Sequence, residues 1–289
     1  MTNREQISII TKSSHTSTYH DNRYSARTLC LYALDWLTAV IAVSVSQIIA
    51  IPCSRTTRFL ITDPSIQQIF HDDKVDINRV GVVLMTAIPV VIMLLWLGYR
   101  QRPFIEFHSA ILGLANALSF SILFTMIGKQ AGMILSPDFL GRCMPSADAI
   151  ERSRRTGSPM TLEDCTGSSS GAIKQGIRAF PTIPMVLSSC SMGYLSLFAS
   201  VHLGLRLHPS VQRRLQMTAI DGRVDPLRPG QTLISFICLL PLAAGMALPA
   251  VETVFHGGGH GWGYAFSGII GLGFALWAHT IYVAKLPMY

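Results

Sequence analysis

Near the C-terminal end the sequence reads His256-Gly257-Gly258-Gly259-His260-Gly261-Trp262-Gly263, and its two histidines are the side chains best suited to chemistry. Histidine titrates near neutral pH, attacks electrophiles and binds metals, and glycine lets backbone approach a ligand closely. Glu252, His256 and His260 are spaced by four, so on a helix they would share one face, as metal ligands do. Three consecutive glycines disfavour a helix there, and no cysteine pair has zinc-site spacing. The residues therefore imply neither a metal nor another cofactor. A working active site, the remains of one and a polar turn at headgroup level all stay open for this stretch. Lys129, Arg142 and Arg178, in the long polar stretch 128–182, are the cations able to join it.

The elements that must position these residues are legible from composition. Charged residues make up 13% of the 289, against about 25% in a soluble domain. Six runs approach the roughly 20 apolar residues that a membrane span requires: 31–52, 80–99, 109–127, 183–205, 231–251 and 264–284. The expected fold is an all-α polytopic membrane protein with six transmembrane helices forming one domain over 31–285. Short tails flank it at 1–30 and 286–289. The tail 1–30 is polar and lacks the short apolar core of a cleaved signal peptide, so the first span reads as an uncleaved signal-anchor.

Orientation follows from the basic residues of the loops. With the N-terminus inside, twelve Lys and Arg lie inside and eleven outside, seven of the latter in 128–182. The dense cluster Arg206, Arg213, Arg214, Arg223 and Arg228 favours both termini in the cytosol and a lumenal loop 128–182. Loops 53–79, 128–182 and 252–263 would then share one surface. The net charge of +7 fits basic loops beside anionic headgroups, and the run Arg152-Ser153-Arg154-Arg155 implies no nucleic-acid partner in such a chain.

Cys143 and Cys165 share the oxidising loop and are expected to pair, with Cys53 able to compete. Cys30, Cys190 and Cys238 read as small core residues. Asp35, His202 and His279 read as hydrated anchors near span ends. Pro89 and Pro241 should kink their helices. Ser267, Gly271 and Ala275, four apart, give the last span a small face for close helix approach.

Three segments carry a resemblance to a known family: "RFLITDPSIQQIF" at 58–70, "KQAGMILSPDFLGRCMP" at 129–145 and "DCTGSSSGAIKQGIRAFP" at 164–181. In this order between six spans, they resemble the type-2 phosphatidic acid phosphatase (lipid phosphate phosphatase) superfamily over roughly residues 30–285. The resemblance implies a six-helix phosphatidate-phosphatase-like bundle with its site on the lumenal or external side. It also implies three motifs, Lys-x6-Arg-Pro, Pro-Ser-Gly-His and Ser-Arg-x5-His-x3-Asp. Lys129 and Pro137 stand where expected, but the first arginine is Ser136. The second-motif histidine is Pro184. In the third motif Ser-Arg has become Pro249-Ala250, His256 is retained, and the aspartate is His260.

These departures remove chemistry. The family's arginines grip phosphate through planar, bidentate forks that Ser and Ala cannot imitate. Loss of a general acid costs about a hundred- to ten-thousandfold. The expected function is therefore that of a catalytically degenerate relative, with Lys129, His256 and His260 vestigial as catalysts. Lys129, Arg178, Glu252, His256 and His260 would serve a lipophilic small molecule instead. Such a protein would be an accessory or unconventional component of lipid, terpenoid or polyketide-type metabolism, in the endoplasmic reticulum or another endomembrane, docking a membrane-protein partner or holding a ligand. The alternative is an active phosphatase or diphosphatase on a lipid or isoprenoid phosphate, with a non-standard Lys/His site.

Overall fold

A computed structural model describes residues 26–50, 57–68, 77–99, 104–132, 134–167, 170–203, 231–256 and 260–282. Cys53 and the basic cluster of 206–230 lie outside these residues, as do the side chains of Glu252 and His256. The chain parts into two compact units, Met1–Asp35 and Trp36–Tyr289. Of the first, only the opening turns of helix α1 (Ala26–Ile49) are described.

Beyond α1 come α2 (Ile77–Tyr99), α3 (Phe104–Gly132), the short α4 (Phe139–Cys143), α5 (Ala147–Thr156) and α6 (Ser170–Gly176), then α7 (Ile183–His202), α8 (Gln231–His256) and α9 (Gly261–Tyr282). The six long helices each contain a stretch long and apolar enough to cross a membrane. The protein is thus an all-α polytopic membrane protein. Helices satisfy every backbone polar group internally, which a bilayer demands of spanning segments.

Helix α7 packs against α2, α3, α8 and α9. Fourteen of its twenty residues are buried. Its composition explains this, because Ser188, Ser189, Cys190, Ser191, Gly193 and Ser196 are small and let neighbours close in. Some of its hydroxyls bond within the helix, and others reach its neighbours. Ser189 and Ser191 donate to their own helix at Met185 O (2.7 Å) and Leu187 O (2.8 Å). Ser188 donates to Gly245 O of α8 (2.7 Å), Ser191 to Met85 O of α2 (2.9 Å) and the Tyr194 hydroxyl to Ala110 O of α3 (3.1 Å). One such interhelical bond is worth roughly 0.6 kcal/mol within a membrane.

The small face of α9 lies against this helix, and Ser267, Gly271 and Ala275 are all buried. A Cβ on Gly271 would stand 2.3 Å from Val186 O, so only glycine permits the observed approach. Val83 and Leu95 of α2, Leu233 and Phe236 of α8 and Ile269 of α9 lie exposed, as lipid-facing side chains do. Helices α2 and α8 continue through Pro89 and Pro241. Just beyond Pro241, the Leu242 amide donates to Ser196 Oγ (3.1 Å).

Three sequence expectations are corrected. Helix α8 runs on to His256, so Glu252 and His256 are helical rather than part of a turn, whereas His260 precedes α9 outside any helix. The three therefore do not share one helical face. Cys30 is exposed rather than core, although Cys190 and Cys238 are buried. His279 is buried, its ring 6.1 Å from that of Tyr194, because the small face of α9 turns it into the bundle.

The segment between α3 and α7 builds a cap. Cys143 and Cys165 are joined, 22 residues apart, as expected. Phe59, Ile66, Phe139, Ala149, Met160 and Ile177 form a second apolar cluster around Cys143. Strand β1 (Arg58–Phe59) pairs antiparallel with β2 (Met160–Thr161), which ties the loop after α1 into the cap. The Gln68 amide adds a bond to Pro137 O (2.8 Å). Met144 ends α4 in a left-handed conformation, φ 45°.

Candidate functional site

The site begins at the cap end of α3. Lys129, in its last turn, donates from Nζ to Arg178 O at 2.9 Å. Arg178 Nη1 reaches Ala50 O, just beyond α1, at 3.4 Å, and the Gln130 side chain donates to Ile49 O. These bonds cover carbonyls that the end of α1 leaves open. They also bring two cations close enough to repel one another. Among the described residues no carboxylate pairs with Lys129 or Arg178.

A strap formed by residues 176–181 crosses this end of the bundle. It is sewn to 134–136, with Ser136 N donating to Gly176 O (2.7 Å) and Ala179 N to Ile134 O (2.9 Å). Pro181 rests on α3 at Gly128, where a Cβ would come within 2.9 Å of its Cδ. His260 Nε2 lies 3.1 Å from Leu135 O. A carbonyl only accepts, so Nε2 is the donor in this bond. The Asp63 carboxylate lies near enough to interact electrostatically with His260, and Ser65 holds that carboxyl below its usual range through its hydroxyl and its amide. The His260 ring stacks on Trp262 at 5.9 Å, and Trp262 lies 5.2 Å from Phe180.

Of the sequence candidates, Lys129, Arg178 and His260 are gathered around the strap and its 134–136 partner. Glu252 and His256 arrive with the last turn of α8, and their side chains are not among the described ones. Arg142, the third cation named from the 128–182 stretch, is engaged. It grips Asp138 Oδ2 through Nε (2.9 Å) and Nη2 (2.6 Å). Sequence reasoning missed this pair, although opposite charges four apart were its signal. It missed Asp63 as well, which is brought to His260 by the β1–β2 pairing and not by sequence proximity.

The positions that the resemblance marks as altered lie in the cap and in helices α7 and α8. Ser136 is 2% exposed and its Oγ has no hydrogen-bond partner among the described residues. A Cβ on Gly176 would stand 3.3 Å from that Oγ and 3.0 Å from Phe139 Cδ2, so the space around Ser136 is filled. Pro184 occupies the first turn of α7 and offers no proton. Thr182, the N-cap of α7, makes no side-chain cap bond, and its buried Oγ1 has no partner among the described residues. Pro249 and Ala250 lie inside α8. Among the described residues no group of three or more His, Cys, Asp or Glu could hold a metal ion.

No family model matches the chain. No solved structure matches it either. Two PA-phosphatase related-family proteins of Dictyostelium discoideum are similar to it. One is 26% identical over 178 residues, 60% of this chain and 48% of the relative. The other is 28% identical over 178 residues, 59% of this chain and 52% of the relative. The chain thus spans about half the length of the curated relatives it matches. Together with the six spans, these distant similarities support a relationship to the phosphatidic acid phosphatase superfamily.

Proposed function

We propose that the protein binds an anionic lipophilic ligand at the cap end of the bundle and does not hydrolyse it. The observation that carries this reading is the Lys129–Arg178 pair, two adjoining cations with no carboxylate partner among the described residues. Like charges brought together near a membrane surface favour an anion between them. Glu252, His256 and His260 would line the rest of the site.

Hydrolysis is disfavoured by what surrounds Lys129. An arginine stabilising a transferring phosphoryl group is worth about a thousandfold or more. Ser136 sits enclosed where one would stand, and Arg142 is held by Asp138. The ligand would then be stored, presented or passed on within lipid, terpenoid or polyketide-type metabolism, with a membrane-protein partner taking it up. Both termini would face the cytosol and the cap the lumen of an endomembrane.

A second reading, an enzyme with a Lys/His site, is favoured by His260, which lies near the Asp63 carboxylate. Phosphate release from phosphatidate and from isoprenoid diphosphates, measured on the purified protein, decides between the two. The binding reading expects no release, no change in His256→Ala and no phosphohistidine. A phosphorylated His256 trapped from either substrate would overturn it and establish the second.

A further inference from the structure

Arg152, Ser153, Arg154 and Arg155 lie in the last turns of α5 and take no part in the candidate site. All three arginines are exposed. Arg155 pairs with Glu151 at 2.6 Å and Arg152 lies 3.6 Å from Asp164, with the two arginine side chains 76% and 62% exposed. Surface pairs of this kind are weak and leave the guanidiniums open to a stronger acidic partner. The run also lies inside the loop that the Cys143–Cys165 disulfide closes, a bond that belongs to an oxidising compartment. We propose, resting on the lumenal placement of the cap given above, that the Arg155–Thr156 peptide bond is a processing site for a secretory-pathway endoprotease with carboxylate-lined pockets. Water adds across the bond, leaving a carboxylate on Arg155 and an ammonium on Thr156, and no other reactant enters.

The spacing suits such an enzyme. In an extended chain Arg155, Arg154 and Arg152 are the first, second and fourth residues before the cut, and each guanidinium meets a carboxylate through charge-assisted hydrogen bonds. Thr156 and Gly157, on the far side of the bond, are small. A cleft that binds main chain takes its substrate extended, so the last turns of α5 must open. Little resists this. Residues 151–158 hold no apolar side chain, and Ala149 and Ser153 are the two buried residues of α5. A helix this short is marginal by itself. Opening releases the two exposed ion pairs and the bond from Ser153 Oγ to Ser158 O (2.9 Å). The neck of the loop stays sewn: Ser146 N donates to Asp164 O (3.0 Å), Thr166 N to Met144 O (3.1 Å) and Gly167 N to Cys143 O (2.9 Å). The tip therefore opens locally while the rest of the cap holds. After the cut the disulfide keeps both halves joined. The other arginine pair, Arg213-Arg214, has Val211 in place of the fourth-position arginine and lies outside the described residues, in the segment expected on the cytosolic side.

Digestion of the full chain in detergent by a purified proprotein convertase should give two fragments on a reducing gel, a single band without reductant and a new N-terminus at Thr156. Arg155→Ala and Arg152→Ala should each slow that cut about tenfold or more, with unchanged thermal unfolding because both side chains are exposed. Chain recovered from the membranes of convertase-bearing cells should carry the same nick, and a convertase inhibitor should abolish it. A bond that stays whole in detergent means that α5 does not open, and overturns the site. A bond cut in detergent but whole in cells overturns it as well, and cysteine labelling of the cap then separates the causes. A lumenal cap leaves the orientation standing and removes the processing site alone. A cytosolic cap, or a cut after Arg214 in cells, removes both.

Discussion

Replacing Gly271 by alanine adds one methyl group at the tightest contact between α9 and α7. Its Cβ would stand 2.1 Å from Ser189 Oγ and 2.3 Å from Val186 O. The hydroxyl can turn away, though it would give up its bond to Met185 O. The carbonyl belongs to the backbone of α7 and cannot move alone. Carbon and carbonyl oxygen settle no closer than about 3.3 Å, so α9 must withdraw by roughly 1 Å. That displacement stretches the bond from the Thr182 amide to Ser267 Oγ, now 3.0 Å, beyond bonding distance. Overpacking costs about 1–3 kcal/mol and the lost bond about 1 kcal/mol more. Against this stands roughly 1 kcal/mol gained from alanine's better helix propensity. The expected net loss is about 1–3 kcal/mol. Gly273→Ala, two residues on, meets no atom within 4 Å and should keep only the gain. Thermal unfolding of both variants in one detergent measures the difference, with each kcal/mol worth about 2–4 °C. If Gly271→Ala melts at or above Gly273→Ala, the close packing of α7 and α9 is wrong.

Replacing Cys143 and Cys165 by serine opens a loop closed over 22 residues and should destabilise the cap by about 3 kcal/mol, seen as faster proteolysis of 134–167 in non-reducing buffer. Asp164 accepts from the Thr161 amide (2.9 Å) and hydroxyl, with Arg152 nearby, and these hold its carboxyl below the usual range. A depressed folded value means the stabilisation is present at neutral pH and is lost as pH falls through the carboxylate range. Proteolysis of the cap should therefore accelerate on acidification in the native chain, and Asp164→Asn should flatten that dependence. Met144→Gly relieves a left-handed side chain that is 54% exposed and makes little packing, so thermal unfolding should show a gain of up to about 1 kcal/mol.

The spans were legible because lipid imposes length and apolarity on each helix separately. So was the α7-facing side of α9, since Ser267, Gly271 and Ala275 recur at helical spacing. The disulfide could be read from two cysteines in one loop. What escaped depends on contacts between distant segments. The centrality of α7 cannot be seen in its own serines, which would equally suit a helix lining a polar path. The continuation of α8 to His256 runs against the glycines that follow, and helix propensity is a weak guide where the preceding stretch is already helical. Lys129, Arg178 and His260 could be named from their chemistry. Their grouping rests on the strap 176–181 and on Leu135 O, backbone features that residue types do not encode. The enclosure of Ser136 by Gly176 and Phe139 was not legible either, because it too depends on the strap.

The position of α7 also bears on how the chain is made. In synthesis α7 leaves the ribosome before α8 and α9, two of the four helices that surround it. It is serine-rich, and for that interval its surface meets lipid or the insertion machinery. Ser189, Ser191 and Ser200 each bond a carbonyl of their own helix, so none of them enters the bilayer unsatisfied while it waits. Ser188 is positioned to exchange partners afterwards, taking Gly245 O when α8 arrives, as Ser196 takes the Leu242 amide. Ser188 and Ser191, which fasten the finished bundle, thus also have carbonyl partners within their own helix to hold during assembly. A ribosome stalled between α7 and α8 would leave a nascent chain inserted but unlatched, open to the membrane quality-control machinery until α8 is made.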